Sequence, residues 1–96
     1  MRLHHTERLT ESVTRLAAEF LGRRRGQALV TVTGTRLGQS GCTATIFVTV
    51  YPVAGENKAL AETRIWRNDL RDFLGRRLRG SPLIHIDFAL DARNKT

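Results

Sequence analysis

Arginine is the residue type in this sequence with the clearest chemical potential. The 96-residue chain carries 16 basic against 9 acidic residues, a net charge of +7, and 14 of the basic residues are arginine. The guanidinium group forms two-pronged hydrogen bonds with phosphate and stacks on flat rings, whereas lysine acts more as a point charge. The charge imbalance predicts attraction to a polyanion, either a nucleic acid or an anionic membrane surface.

The arginines are densest in RIWRNDLRDFLGRRLRG, residues 64–80, which holds six arginines and two aspartates. These six are Arg64, Arg67, Arg71, Arg76, Arg77 and Arg79. At about 100° per helical residue, the first three form a tight stripe beside an apolar stripe, and Arg77 falls within the apolar stripe. A second basic patch, Arg23, Arg24 and Arg25, lies in the loop sequence GRRRG.

A solvated helix face is the ordinary alternative for such a charge pattern. Asp72 can pair with Arg76 at a spacing of four residues, but two aspartates cannot neutralise six arginines. Exposed ion pairs contribute only about 0–1 kcal/mol, and a row of like charges repels itself. RNA or phosphate contact is therefore the favoured interpretation. A protein-interaction module whose basic helix docks an acidic partner remains the second hypothesis, and membrane binding is disfavoured because no broad apolar face accompanies the charge.

No residue pattern predicts an enzyme, a metal site or a cofactor. The adjacent His4 and His5 and the isolated His85 lack further ligands, and Cys42 is the single cysteine. No Ser-His-Asp set or phosphate-binding loop is present. The apolar runs are shorter than the roughly 20 residues that cross a bilayer, and the N-terminus lacks a secretory signal. We therefore expect a cytoplasmic, monomeric protein without membrane association.

The elements that position the arginines follow from periodicity. Apolar residues at three- and four-residue steps predict a helix over about 6–21, capped by Thr6 and Gly22, and a second helix over about 56–78. Alternation predicts strands over 28–37, 42–52 and 81–91. The order α-β-β-α-β predicts one α+β domain over residues 1–96, with short flexible ends at about 1–5 and 92–96.

Three local features leave alternatives open. Asn68 tolerates a left-handed backbone, so the second helix is predicted to be either kinked there or straight. GQSG, residues 38–41, is interpreted as a hairpin turn, with a phosphate-binding loop as the less favoured alternative. Phe47 and Tyr51 share one strand face, where partial packing is favoured over stacking with RNA bases.

The element order, the strands in VTVTGTRLGQSGCTATIFVTVYP and the segment WRNDLRDFLGRRLRGSPLIHIDFALD resemble the bacterial ribosome-binding factor A family. The resemblance spans roughly residues 6–91. It implies a KH-like fold in which the second helix is kinked and the helices pack on one face of a three-stranded sheet. It also implies a non-enzymatic factor that binds 16S ribosomal RNA during late maturation of the small (30S) ribosomal subunit.

The resemblance assigns roles to particular positions. The family's Ala-x-Gly kink falls on Trp66, Arg67 and Asn68, so this sequence departs from the pattern at both outer positions. The arginine after the kink corresponds to Arg71, and the basic run corresponds to residues 74–79. The phenylalanine and aspartate of the third strand correspond to Phe88 and Asp91. All nine arginines named above are expected to contact RNA.

Overall fold

The computed structural model confirms the predicted order of elements. It describes residues 2–24, 28–39, 41–78, 83 and 85–91, and side chains from Arg8 onward. The elements are α1 (Arg2–Gly22), β1 (Leu29–Leu37), β2 (Thr43–Tyr51), a short 3-10 helix (Val53–Gly55), α2 (Glu56–Arg77) and β3 (His85–Leu90). Of the flexible ends predicted at about 1–5 and 92–96, residues 2–5 belong to α1, whereas Met1 and residues 92–96 lie outside the described residues.

Helix α1 is amphipathic, as the sequence predicts, but it is longer. It begins at Arg2, so Thr6 lies within the helix and does not cap its start. The preceding residues contain neither glycine nor proline, and nothing in their backbone opposes another helical turn. The helix buries one side against the sheet. The buried residues of α1 are Val13, Leu16, Ala17, Phe20 and Leu21.

Strands β1 and β2 form the predicted antiparallel hairpin. Their register runs from Leu29 opposite Tyr51 to Leu37 opposite Ala44, with a bulge between Val32 and Gly34. In the turn, Gly41 has a φ of +76°, which favours glycine. The Gly38 amide donates to the Thr43 carbonyl at 2.9 Å, and a Cβ on Gly38 would collide with the Thr43 side chain. Both glycines are thus accounted for by hairpin geometry.

The sheet has the order β1-β2-β3, with β2 in the centre. Strand β3 pairs in parallel with β2, from Thr43 opposite His85 to Val48 opposite Leu90. Parallel pairing requires a crossover connection, and α2 supplies it. Helix α2 therefore packs beside β3, and the arginines of the helix are brought to that edge of the sheet.

Both helices cover the same face of the sheet, as expected. Alternate residues of β2, from Ala44 to Val50, are buried in one apolar cluster with residues of α1, α2 and β3. The other face of β2 carries half-buried residues, among them Thr45, Phe47 and Thr49. The fold is thus a two-layer α+β arrangement with one uncovered sheet face.

The expected kink in the second helix is not found at Asn68. Helix α2 is continuous from Glu56 to Arg77, and no described non-glycine residue has a positive φ. Asn68 therefore does not end one helix and begin another. The segment has tryptophan and asparagine in place of alanine and glycine, so the left-handed turn would lose helical hydrogen bonds without glycine's freedom. Trp66 instead packs half-buried against the core.

Candidate nucleic-acid interface

The buried line of α2 determines where its arginines point. Ala59, Thr63, Leu70, Phe73 and Leu74 are buried and define the inner side of the helix. The β3-side stripe, defined as Arg64, Arg67 and Arg71, is rotated from that line by roughly 60–120° in one direction. Arg64 and Arg71 are exposed, and Arg67 is half-buried. The predicted stripe is thus present as a continuous row.

A contact from Arg67 shows which neighbour the stripe faces. Its Nη1 donates to Oδ1 of Asp87 on β3 at 3.5 Å. The other Asp87 oxygen lies 3.7 Å from Nε2 of His85. The stripe therefore runs along the β3 edge of the sheet, with Asp87 as the carboxylate nearest its middle arginine. No sequence pattern predicts this pair, because it joins two elements.

Arg24 lies on the opposite flank of α2, where α1 packs. Its guanidinium carbon is 4.5 Å from the centre of the Phe20 ring and 5.9 Å from that of Trp66. Its Nη2 also lies 3.5 Å from Oδ2 of Asp69. A cation within about 6 Å of an aromatic face is attracted by the ring quadrupole. Arg24 therefore links the end of α1 to the middle of α2.

Arg77, like Arg24, contacts both an aromatic ring and a carboxylate. These contacts explain why it falls within the apolar stripe of the sequence. Its guanidinium lies 4.7 Å above the centre of the Phe73 ring, so the stem follows the core while the charge reaches the surface. Its Nη1 is 3.8 Å from Glu19 on α1, and Arg23 contacts the same carboxylate at 3.2 Å. We call Arg23, Arg24 and Arg77 the α1-side group.

The nine predicted arginines thus separate into two sets. Three form the β3-side stripe and three form the α1-side group, while Arg76 is exposed on the outer surface of α2. Arg25 and Arg79 lie outside the described residues. The predicted pairing of Asp72 with Arg76 is not found among the described contacts. Asp72 instead lies 3.8 Å from Nε of Arg71.

These ion pairs leave the guanidinium groups able to bind phosphate. The five arginine–carboxylate contacts given above have distances of 3.2–3.8 Å, longer than the roughly 2.7–2.9 Å of a strong charged hydrogen bond. The side chains of these arginines are 36–68% exposed. Pairs of this kind contribute about 0–1 kcal/mol each. A phosphate that offers several oxygens can therefore displace them at little cost.

Asp91, which the family resemblance singles out, is buried at 6% exposure. Thr33, the bulge residue of β1, donates its hydroxyl to Oδ2 of Asp91 at 2.7 Å. The amide of Asp91 donates to the Val48 carbonyl at 2.8 Å, so its contacts reach both other strands. Asp91 therefore fixes the end of β3 to the sheet, and this structural role is distinct from the binding role predicted for the arginines.

The uncovered sheet face carries little charge. Arg36 lies over the Phe47 ring at 5.5 Å, and both side chains project from this face. Tyr51 is 75% exposed beside Leu29 across the hairpin. The partial packing expected for Phe47 is present, whereas Tyr51 is open to solvent. Because this face lacks the density of arginines found on α2, it is a weaker candidate for phosphate contact.

Other kinds of site find no support in the described part of the chain. No three His, Cys, Asp or Glu side chains there are grouped to hold a metal ion. Across the same residues, neither helix combines the length and apolar character needed to span a bilayer. Every buried side-chain nitrogen or oxygen described has a hydrogen-bond partner. The arginine surfaces are thus the main functional candidates.

Comparison with known proteins supports the fold. The sequence matches no protein-family model, and no curated protein matches it significantly. The crystal structure of ribosome-binding factor A from Thermus thermophilus is similar, with a TM-score of 0.79 and 24% sequence identity. The similarity covers 88% of this chain and 92% of that chain. The expected resemblance in fold to ribosome-binding factor A is confirmed.

Proposed function

We propose that this protein is a non-enzymatic assembly factor that binds 16S ribosomal RNA of the immature small subunit during its late maturation. The observation that carries the proposal is the β3-side stripe, in which three arginines line one sheet edge and the carboxylate contacts of Arg67 and Arg71 are weak. The similarity in fold to ribosome-binding factor A supplies the ribosomal context. RNA phosphates are the ligand that best matches this charge and geometry.

The binding chemistry follows from the residue types. Arginine guanidinium groups on a continuous helix are held at fixed spacing, so they select the shape and charge of a folded RNA backbone. Each phosphate contact releases condensed counterions, which makes affinity fall steeply with salt. The stripe offers few groups for reading base edges, and we therefore expect shape and charge to dominate over base sequence.

The decisive experiment reverses charge within the stripe. The variant Arg67→Glu with Arg71→Glu is expected to abolish co-sedimentation with immature small subunits, while circular dichroism and thermal melting remain those of a folded protein. A matched control, Arg36→Glu with Lys58→Glu, changes the net charge equally on other surfaces and is expected to retain most of the binding. Unchanged co-sedimentation of the stripe variant would refute the assignment of this site.

Sedimentation of the wild-type protein through a sucrose gradient, with and without nuclease, distinguishes RNA binding from the alternative hypothesis of an acidic protein partner. If the basic helix docks an acidic protein, the complex will survive nuclease treatment, because it does not depend on RNA. If the stripe binds ribosomal RNA, nuclease will release the protein to the top of the gradient. The proposed function predicts the second result.

A further inference from the structure

One corner of the uncovered sheet face gathers exposed apolar side chains. Tyr51 ends β2 with 75% of its surface exposed, and Leu29 lies opposite it on β1 at 67%. Val53, two residues after Tyr51, is also 67% exposed. We call these three residues the Tyr51 corner. A group of large apolar side chains that are open to solvent indicates a binding surface more strongly than a single one does.

The Tyr51 ring is the open aromatic group of this face. The Phe47 ring is half-buried, and the guanidinium of Arg36 already lies over it at 5.5 Å. In the part of the chain that the structure describes, Tyr51 has no ring contact with an aromatic or cationic side chain, and its hydroxyl forms no hydrogen bond. Folding of the chain therefore leaves this ring free to stack on a ligand.

Two hydroxyl groups adjoin the ring on the same face. Thr49 precedes Tyr51 by two residues on β2, and Thr31 of β1 pairs with Thr49. Among the described residues, neither of these hydroxyls has a hydrogen-bond partner. A hydroxyl both donates and accepts, so it can meet the polar edge of any base. An uncharged surface with an open ring and free hydroxyls suits an unpaired nucleobase, because stacking on an aromatic side chain tolerates every base.

The corner lies on the same side of the sheet as the contact made by the β3-side stripe. Arg67 contacts Asp87, which pairs in register with Thr45 and projects with it from the uncovered face. Tyr51 is six residues beyond Thr45 on β2, which corresponds to roughly 20 Å at about 3.3 Å per residue. About six stacked nucleotides at roughly 3.4 Å each cover that distance. An unpaired RNA strand that leaves the stripe can thus reach the corner.

The surface between the stripe and the corner is low. Ala89 on β3 and Thr49 on β2 present short side chains along this route. Of the two carboxylates on this side of β3, Asp87 is contacted by Arg67, and Asp91 is buried. A route that begins at arginines and ends at an apolar corner matches RNA, whose phosphates are charged and whose base faces are apolar. An apolar segment of a protein would match the corner alone.

We propose that the uncovered sheet face binds an unpaired RNA strand, with one base stacked on Tyr51. The inference rests on the proposed function, because it assumes that the β3-side stripe binds RNA. It goes further in naming the RNA feature that the protein selects, which is a junction between a folded segment and an unpaired strand. Leu29 and Val53 enlarge the apolar surface that the stacked base covers, and Tyr51 is the residue that this selection requires.

The test uses an RNA hairpin that is either blunt or extended by a tail of about eight unpaired adenine and cytosine nucleotides, which is long enough for the route. Tails at the 5′ and the 3′ end are tested separately. In a filter-binding titration, the full-length wild-type protein should bind a tailed hairpin roughly 5- to 100-fold more tightly than the blunt one, as expected for one stacked base. The variants Tyr51→Ala and Tyr51→Leu should lose this tail advantage and keep the affinity for the blunt hairpin.

Three controls make the result specific to the ring. Tyr51→Phe keeps the ring and should retain the tail advantage. Tyr51→Leu keeps an apolar partner for Leu29, so it should remain folded even if Tyr51→Ala does not, and its melting temperature verifies this. Ile65→Ala is the matched variant, because Ile65 is equally exposed at 76% but lies on α2, and it should leave the advantage unchanged.

A wild-type protein without a tail advantage, or an advantage that Tyr51→Leu keeps, would overturn the stacking site. Loss of co-sedimentation with small subunits by Tyr51→Leu, without any effect on the tailed hairpins, would also overturn it and would indicate a protein partner at the corner. In each case the proposed function stands if Arg64→Ala with Arg71→Ala weakens binding of the blunt hairpin. It falls if the blunt hairpin is not bound or if its binding is insensitive to those two substitutions.

Discussion

Arg24 is expected to stabilise the fold, in contrast to the arginines that project into solvent. The guanidinium group lies against Phe20 and Trp66 and next to Asp69, and so it joins the two helices. The substitution Arg24→Ala removes all three contacts together. It should therefore loosen the packing of α1 against α2 and lower the stability of the whole domain.

The expected loss can be worked from the contacts. The closer ring contact, at 4.5 Å with a side chain 36% exposed, is worth about 1 kcal/mol, and the one at 5.9 Å less. The exposed contact with Asp69 adds no more than about 0.5 kcal/mol. The total is about 1–2 kcal/mol, which lowers the melting temperature of a domain this size by roughly 4–16 °C.

Thermal and urea unfolding followed by circular dichroism provide the assay. The matched control is Arg76→Ala, because Arg76 is exposed and has no ring or carboxylate contact in the described residues. It should change stability by less than about 0.5 kcal/mol. Arg24→Lys keeps the charge but loses the flat stacking group, and we expect it to recover only part of the loss. Equal stability of Arg24→Ala and Arg76→Ala would refute the reasoning.

Three further substitutions test other parts of the structure. Thr33→Val removes the donor to the buried Asp91 carboxylate and should cost about 1.5–3 kcal/mol in urea unfolding; an unchanged midpoint would contradict the assigned role. Gly75→Ala should stabilise the protein by about 0.5–1 kcal/mol, because this exposed glycine lies inside α2 with open space around it; a lower melting temperature would count against it. Asp87→Asn removes the carboxylate beside Arg67 and should tighten RNA binding severalfold in a filter-binding titration at low salt; weaker binding would show that Asp87 positions Arg67 for RNA.

The elements of the fold could be predicted because each has a strong local signal. The apolar spacing of α1 and α2 and the alternation in β2 all report burial on one side, and the two turn glycines mark the hairpin. The continuity of α2 through Asn68 could not be predicted, because a left-handed asparagine and a helical one fit the same local sequence. Packing of Trp66 against the core was predictable, because helical spacing places it in the apolar stripe of the second helix.

The candidate site was predictable in part for the same reason. The β3-side stripe depends only on positions along one helix, and its three arginines appear as expected. The division of the remaining arginines depends on which element each one meets, as with Arg24 over Phe20 and Arg77 over Phe73. The pairing of Arg67 with Asp87 likewise joins distant parts of the chain.

The parallel pairing of β3 has a consequence for how the chain acquires its binding surface. The hairpin of β1 and β2 joins neighbouring segments, whereas Thr43 pairs with His85, which follows the whole of α2 in the chain. Closing such a long loop costs conformational entropy before strand pairing can offset that cost. We therefore expect β3 to dock late in folding. Until it docks, Arg67 lacks its carboxylate neighbour Asp87, and the edge along which the stripe runs does not yet exist. The positively charged surface is thus complete only when the tertiary structure is complete.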